Sequence, residues 1–202
     1  MKFLMSFIFL ALIACDSQRQ QHTDGSSALT ALVLEEGERI SNQAQMALGG
    51  QLKQAIAAGG PSHAVQFCNF SAANILDTLS TGYEHVKVKR TTEKLRNQAN
   101  VPSGVERQLL QAYQQKLQDK ETLTPEVTPL GDATILYTKP IIINNALCLN
   151  CHGSIESEIS KETYDVISSY YPQDQAVNYQ MGDLRGMWSI EFDRDQLLKL
   201  ID

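Results

Sequence analysis

The chain has few of the residues that usually announce function: one tryptophan, four cysteines, four histidines and six prolines among 202 residues. No apolar stretch approaches the roughly 20 residues needed to cross a bilayer as a helix. The run from Phe3 to Ile13 is about half that length and reads as an export signal. No cluster of lysine or arginine offsets the excess of 23 acidic over 17 basic side chains, net −6, which argues against nucleic acid and anionic lipid as partners. There is no internal repeat and no second domain boundary, so the length fits one domain with a sizeable core. The single Cys-x-x-Cys has no second ligand pair, which a structural zinc site would want.

The N-terminus carries more information. Lys2 gives a positive start to the apolar run, and Leu12-Ile13-Ala14-Cys15 places a small residue directly before a cysteine and after two aliphatics. This resembles the lipobox of bacterial lipoproteins, in which the cysteine is acylated and becomes the first mature residue. Residues 1–14 are thus expected to be a signal peptide and Cys15 a lipidation site. Residues 15–27 are polar and free of aliphatics, as a tether would be, and residues 28–202 are expected to form the domain. Such a protein would sit on the periplasmic side of a bacterial membrane, held by its lipid. Asp16 resembles an inner-membrane retention signal, but inner and outer membrane both stay open.

Along the rest of the chain, helices precede strands. Ala28 to Ala58 predicts a long helix with a candidate break at Gly49-Gly50, stopped by Gly59-Gly60-Pro61. A second helix runs from Pro61 to about Leu79, with Val65, Cys68, Ala72, Ile75 or Leu76, and Leu79 on one face. Tyr83 to Thr91 alternates like a half-solvated strand. Ser103 and Glu106 form a capping-box pair opening a helix whose Val105, Leu109, Tyr113 and Leu117 share a face. Pro125 and Pro129 mark a loop, Ala133 to Ile143 a strand, Ser154 to Gln180 an ambiguous region, and Gly186 to Phe192 a last strand. Asp193 and Gln196 cap a short helix, Arg194 to Ile201. The pattern predicts an α+β domain with an antiparallel sheet.

Cys148-Leu149-Asn150-Cys151-His152 has the form Cys-x-x-Cys-His, the attachment signature of a c-type haem. Each thiol can form a thioether to a vinyl group, and the adjacent histidine can offer a nitrogen to the iron. A zinc half-site and a redox dithiol are the rival readings. Export favours haem, because c-type haem is attached outside the bacterial plasma membrane. With Cys15, Cys148 and Cys151 used, Cys68 has no disulfide partner in an oxidising compartment. It reads equally well as a small buried hydrophobe and as an axial thiolate. Met181, Met187, His63 and His85 compete for the same coordination position, although each has an ordinary core or surface reading.

Taken together, Val65-Gln66-Phe67-Cys68, Arg90-Thr91-Thr92, Leu95-Arg96-Asn97, Asn100-Val101-Pro102, Tyr137-Thr138-Lys139-Pro140-Ile141, the haem signature and Gly182-Asp183-Leu184-Arg185-Gly186 resemble a family of exported, single-haem c-type proteins. The family has a PAS-like fold and a cyanobacterial haem-c sensor-like member. The resemblance implies one covalent haem c on Cys148 and Cys151, with His152 and Cys68 as axial ligands. Arg96 and Arg185, each in a loop-like block, are candidates to pair with the haem propionates.

A thiolate ligand would stabilise ferric iron and lower the reduction potential. The resemblance therefore implies a redox or diatomic-gas sensor module, with a low-potential electron-transfer cytochrome c as the alternative. A peroxidase is disfavoured, because two protein ligands leave no open position and no distal acid/base pair is evident. Either role needs a partner protein that the sequence does not name.

Overall fold

The computed structural model describes residues 9–83 and 86–200, with the side chains of residues 9–25, 69–73 and 79 outside that description. His85, Ile201, the side chain of Cys15 and the first eight residues of the expected signal peptide therefore lie outside the described residues. Among the described residues no helix is long and apolar enough to cross a membrane.

The Ala-, Leu- and Gln-rich N-terminal region forms α1 (Phe9–Gly82). The stretch expected to be a tether is carried on this helical backbone. Leu29, Val33, Ile40, Ala44 and Leu48 recur at helical spacing and are buried along one stripe of α1. Gly49 and Gly50 stay helical, contrary to the expected break. A Cβ at either would meet nothing within 4 Å, so their weak propensity acts on an exposed face of a helix that is docked elsewhere.

The real interruption is at Gly59 and Gly60. Gly60 has φ 76°, a conformation that favours glycine, and Pro61 then opens the next segment with its φ already set. The segment 61–82 spans two apolar clusters. Val65 packs with Ile159, Ile167 and Tyr171, while Ile75 and Leu76 join the stripe of α1.

Four antiparallel strands, β1 (Val86–Thr91), β2 (Glu126–Leu130), β3 (Thr134–Ile142) and β4 (Leu184–Asp193), lie in the order β1-β4-β3-β2. β4 is central and alternates between two covered faces. Trp188, Ile190 and Phe192 face α1, and Met187 and Ser189 face α2 (Gly104–Gln118). On the α1 side, Tyr137 hydroxyl and Lys139 Nζ both donate to the Glu38 carboxylate, at 2.9 and 2.7 Å. A Cβ at Gly37 would fall on the Tyr137 ring, so glycine lets α1 approach the sheet there.

Two expectations fail for identifiable reasons. The Pro125–Pro129 region is not a loop but the edge strand β2, with Pro129 opposite Ile135; an edge strand can carry a residue that donates no hydrogen bond. The buried face of α2 is Glu106, Leu110 and Tyr113, whereas Val105 is 37% exposed. The capping box forms as expected, but Glu106 turns inward, where Ser189 Oγ at 2.6 Å, Ser103 N at 2.7 Å and Lys89 Nζ at 2.9 Å all donate to it.

Burial pushes the Glu106 carboxyl up, but these donors outweigh it and hold the group below the ordinary glutamate value of 4.5. A folded-state value below the unfolded one stabilises the native state above about pH 4.5, and the benefit fades as pH falls through the lower folded-state value. Glu106→Gln is therefore expected to flatten the loss of stability as pH falls below 4.5, read as urea midpoints across an acid series. Wild-type steepness in the variant would mean that other carboxylates carry the acid transition.

The Cys-x-x-Cys-His motif carries the short α3 (Leu149–His152), and the ambiguous region after it holds α4 (Lys161–Tyr170), capped by Ser160, whose hydroxyl accepts from Thr163 N at 3.2 Å. Asp193 caps α5 (Arg194–Leu198), accepting from Gln196 N at 3.1 Å.

Candidate cofactor site

The Cys-x-x-Cys-His segment follows β3 through a single turn, Ala146–Cys148, in which the Asn145 side chain accepts from Leu147 N at 2.8 Å. Cys148 has helical φ and ψ as the cap of α3, so Cys148 and Cys151 are three residues apart on one helical turn and project to the same side. Residues 174–180 wrap the segment. Asn178 N donates to Gly153 O at 2.8 Å and Tyr179 N to His152 O at 2.9 Å.

His152 is fixed by its ring. Its Nδ1 lies 2.8 Å from the carbonyl oxygen of Ala176, which can only accept, so Nδ1 carries the proton and the lone pair sits on Nε2. Tyr179 meets the imidazole edge-on, with ring centroids 6.2 Å apart. Burial, and then the positive charges of Arg185 and Arg96, push the imidazole pKa well below the ordinary 6.5, so the ring stays neutral. A neutral imidazole with a directed Nε2 is of the kind that can ligate a metal, with its orienting partner already in place.

Cys68, on the segment of α1 after the Gly60 turn, comes to the same place. It lies within electrostatic reach of Cys151, Tyr171, Arg90 and Arg96. Burial pushes the Cys68 thiol up against the opposing pull of the two arginines. Burial likewise pushes Cys151 up to about 11 and Tyr171 to about 12. The walls are apolar: Val65, Ile159, Ile167 and Tyr171 on the Cys151 side, and Ile143, Leu149, Ala176 and Tyr179 on the Cys148 side. Among the described residues no three His, Cys, Asp or Glu side chains lie close enough together to hold a metal ion by themselves.

The arginines divide by what they touch. Arg96 is engaged by protein groups: Nε and Nη2 grip the Asp174 carboxylate at 3.1 and 2.9 Å, and Nη2 also donates to Cys151 O at 2.6 Å and Ala176 O at 3.1 Å. Its place is as a clamp between the haem signature and the 174–176 turn. Arg185 lies at a β-bulge. Ile141 pairs with Gly186 and Ile142 with Leu184, so Arg185 is the extra residue and its side chain is re-aimed toward His152 and Tyr179. Gly186 permits this with φ 156°, where a Cβ would sit 2.5 Å from Thr91 O.

Arg90, absent from the sequence-predicted set, also acts electrostatically on Cys68 and His152 and stacks over Trp188 at 5.8 Å. A signal for it existed. In β1 the positions in phase with Val86 and Val88 face α1, and Arg90 is the next of that series.

The other competitors fall away from this cluster. Met181 is 52% exposed, Met187 is fully buried under α2 on the opposite side of the sheet, and His63 is exposed.

The chain matches the model of the Tll0287-like family over residues 16–192. It belongs to the Tll0287-like family. Among solved structures, that of the cyanobacterial heme-protein Tll0287 superposes with a TM-score of 0.55 at 18% identity, covering 88% of this chain and 95% of that one. The shared architecture is the PAS-like α+β fold, with N-terminal helix and antiparallel sheet, that the sequence led us to expect. No curated protein matches the chain.

Proposed function

We propose that this family member is an exported lipoprotein that carries one haem c, covalently held by Cys148 and Cys151 with His152 and Cys68 as axial ligands, and that it serves as a redox or diatomic-gas sensor module. The observation that carries the reading is the convergence of four groups on one apolar, cationic site. Two thiols lie on one turn of α3, an imidazole is pinned through Nδ1 so that Nε2 is free to coordinate, and a third thiol arrives from α1. Family membership and the heme-protein neighbour point the same way. These donors suit haem c better than zinc, since thiols, neutral imidazole and apolar walls are what a covalently held porphyrin needs. When bound, the group supplies a one-electron couple and an iron coordination sphere.

The chain's own part in sensing lies in the Cys68 segment. It is joined to the rest of α1 through the Gly59–Gly60 interruption, with Val65 packed on α4 near Cys68 and Ile75 and Leu76 tied to the core stripe further along, so movement at Cys68 would be carried to the sheet-facing core. Burial favours the neutral thiol whenever Cys68 is not coordinated, which opposes rebinding. A partner protein reading the position of this segment would complete the signal. The lipid on Cys15 would keep both at the periplasmic face of a membrane.

The test is the visible spectrum of wild type and Cys68→Ala, oxidised and reduced, with a pyridine haemochrome assay. Wild type is expected to show a thiolate-ligated ferric haem that changes ligation on reduction and then binds carbon monoxide. Cys68→Ala should bind exogenous ligands in both states and have a higher potential, because the charge donor to ferric iron is gone. A methionine-type charge-transfer band in wild type would sink the thiolate assignment. An unchanged ligand set in both oxidation states would favour the low-potential electron-transfer role instead.

A further inference from the structure

Two buried guanidinium nitrogens beside the site have no hydrogen-bond partner among the described residues: Arg90 Nε and Arg185 Nε. Buried polar groups are nearly always paired, and an unpaired buried cation is costlier still. Asp174, the acid that acts on Arg185, makes its hydrogen bonds to the Arg96 fork and to Ala176 N and none to Arg185 or Arg90. Glu106, the buried acid of α2, lies against the other face of the sheet, where Lys89 and Ser189 donate to it. What Arg90 does touch is the face of Trp188, at 5.8 Å. Arg185 lies over Tyr179 at 5.5 Å and makes one long contact, Nη1 to Lys94 O at 3.5 Å. Aromatic stacking orients a guanidinium but leaves its in-plane donors unsatisfied.

Both arginines lie within electrostatic reach of His152 and of each other. Burial lowers the Arg185 pKa to about 10, which still leaves it charged at neutral pH. Two elements are shaped to deliver them. Arg90 ends the α1-facing series of β1, and Arg185 is the extra residue of the β4 bulge, made possible by Gly186. A complete site needs negative charge at two places, and a haem brings two carboxylates.

We propose that Arg90 and Arg185 are the residues that bind the two haem carboxylates, while Arg96, assigned to that task from the sequence, is instead a clamp on the protein side. The proposal rests on the haem reading above and goes beyond it by naming a binding residue, Arg90, and by removing another. The fork of each arginine would supply charge-assisted hydrogen bonds to a carboxylate.

The experiment uses the full-length holoprotein and the variants Arg90→Leu, Arg185→Leu and the corresponding lysine replacements. It reads haem content by pyridine haemochrome, the propionate bending bands by resonance Raman, and the pH dependence of the midpoint potential. Each leucine variant is expected to shift a propionate bending band. It should also move the propionate ionisation seen in the potential upward in pH, because the neighbouring cation that favours the carboxylate is lost. The lysine variants, which keep the charge and lose the fork, should restore the pH profile but not the band.

Haem-loaded variants with wild-type bands and a wild-type pH profile would overturn this assignment alone. Should a leucine variant fail to accumulate, its lysine counterpart decides, since unshifted bands in both lysine variants count equally against the assignment. Wild-type protein without covalent haem would overturn the haem reading and this assignment with it.

Discussion

Cys148→Ser/Cys151→Ser protein, exported in a host that matures c-type haem, is expected to yield no haem that resists extraction by acidified acetone. A serine hydroxyl cannot replace a thiol in adding to a vinyl group, so neither thioether can form. His152 is untouched by these changes, since its Nδ1 bond goes to Ala176 O and its orientation does not depend on either sulfur. Residual haem should therefore be non-covalent, with a pyridine haemochrome band at the position of unsaturated vinyls. Each single variant should keep one thioether and an intermediate band position.

The loss reaches stability as well. A group bound only by the native state stabilises it by mass action, and covalent attachment makes that contribution independent of concentration. The double variant should accordingly melt well below the loaded wild type and close to wild type expressed without haem maturation. Acid-stable haem in the double variant would place the attachment elsewhere in the chain.

How far the site could be read from the sequence differs residue by residue. The Cys-x-x-Cys-His motif stands out in the sequence because the chemistry proposed for it is local: three side chains within five positions would carry both the covalent and the coordination requirement. Cys68 was half legible. Cysteine counting isolated it, but only the fold shows that the turn at Gly60 brings its segment against α3 and α4.

Arginine roles were the least legible. Arg96 and Arg185 both occupy loop-like blocks, and nothing in their neighbours says that one meets a buried aspartate 78 residues away while the other is turned by a bulge. The covered position of Arg90 was missed because strand alternation was read as half-solvated, with charge taken as the solvent side. A period of two assigns it to the covered side along with Val86 and Val88.

The same limit explains α2. Helical periodicity assigned Val105 inward and overlooked Glu106, because a carboxylate becomes an inward residue only when three donors from β1, β4 and the helix cap meet it. The edge strand β2 was hidden by its prolines for a comparable reason: whether a missing N–H matters depends on which side of the strand has a neighbour.

Arg96→Leu should be among the most damaging single substitutions in the folded domain, costing about 3–5 kcal/mol in urea unfolding. The pair with Asp174 is nearly closed off from solvent, with side-chain exposures of 12% and 6%. Removing the cation strands a buried carboxylate and withdraws the donor from Cys151 O and Ala176 O. A surface ion pair would cost under about 1 kcal/mol, so the magnitude separates the two cases. Asp174→Leu in the same background should cost less than the sum of the single changes, since the stranded charge is then gone.

The substitution should also be visible at the site itself. Ala176 O accepts from both Arg96 Nη2, at 3.1 Å, and His152 Nδ1, at 2.8 Å. Loosening the 174–176 turn frees the carbonyl that sets the imidazole tautomer. Loaded Arg96→Leu protein should then show a heterogeneous low-spin spectrum that sharpens when Arg96→Lys supplies a single donor. Wild-type stability and an unchanged spectrum in Arg96→Leu would remove Arg96 from the clamp, and with it the reason for taking the carboxylate-binding role away from Arg96.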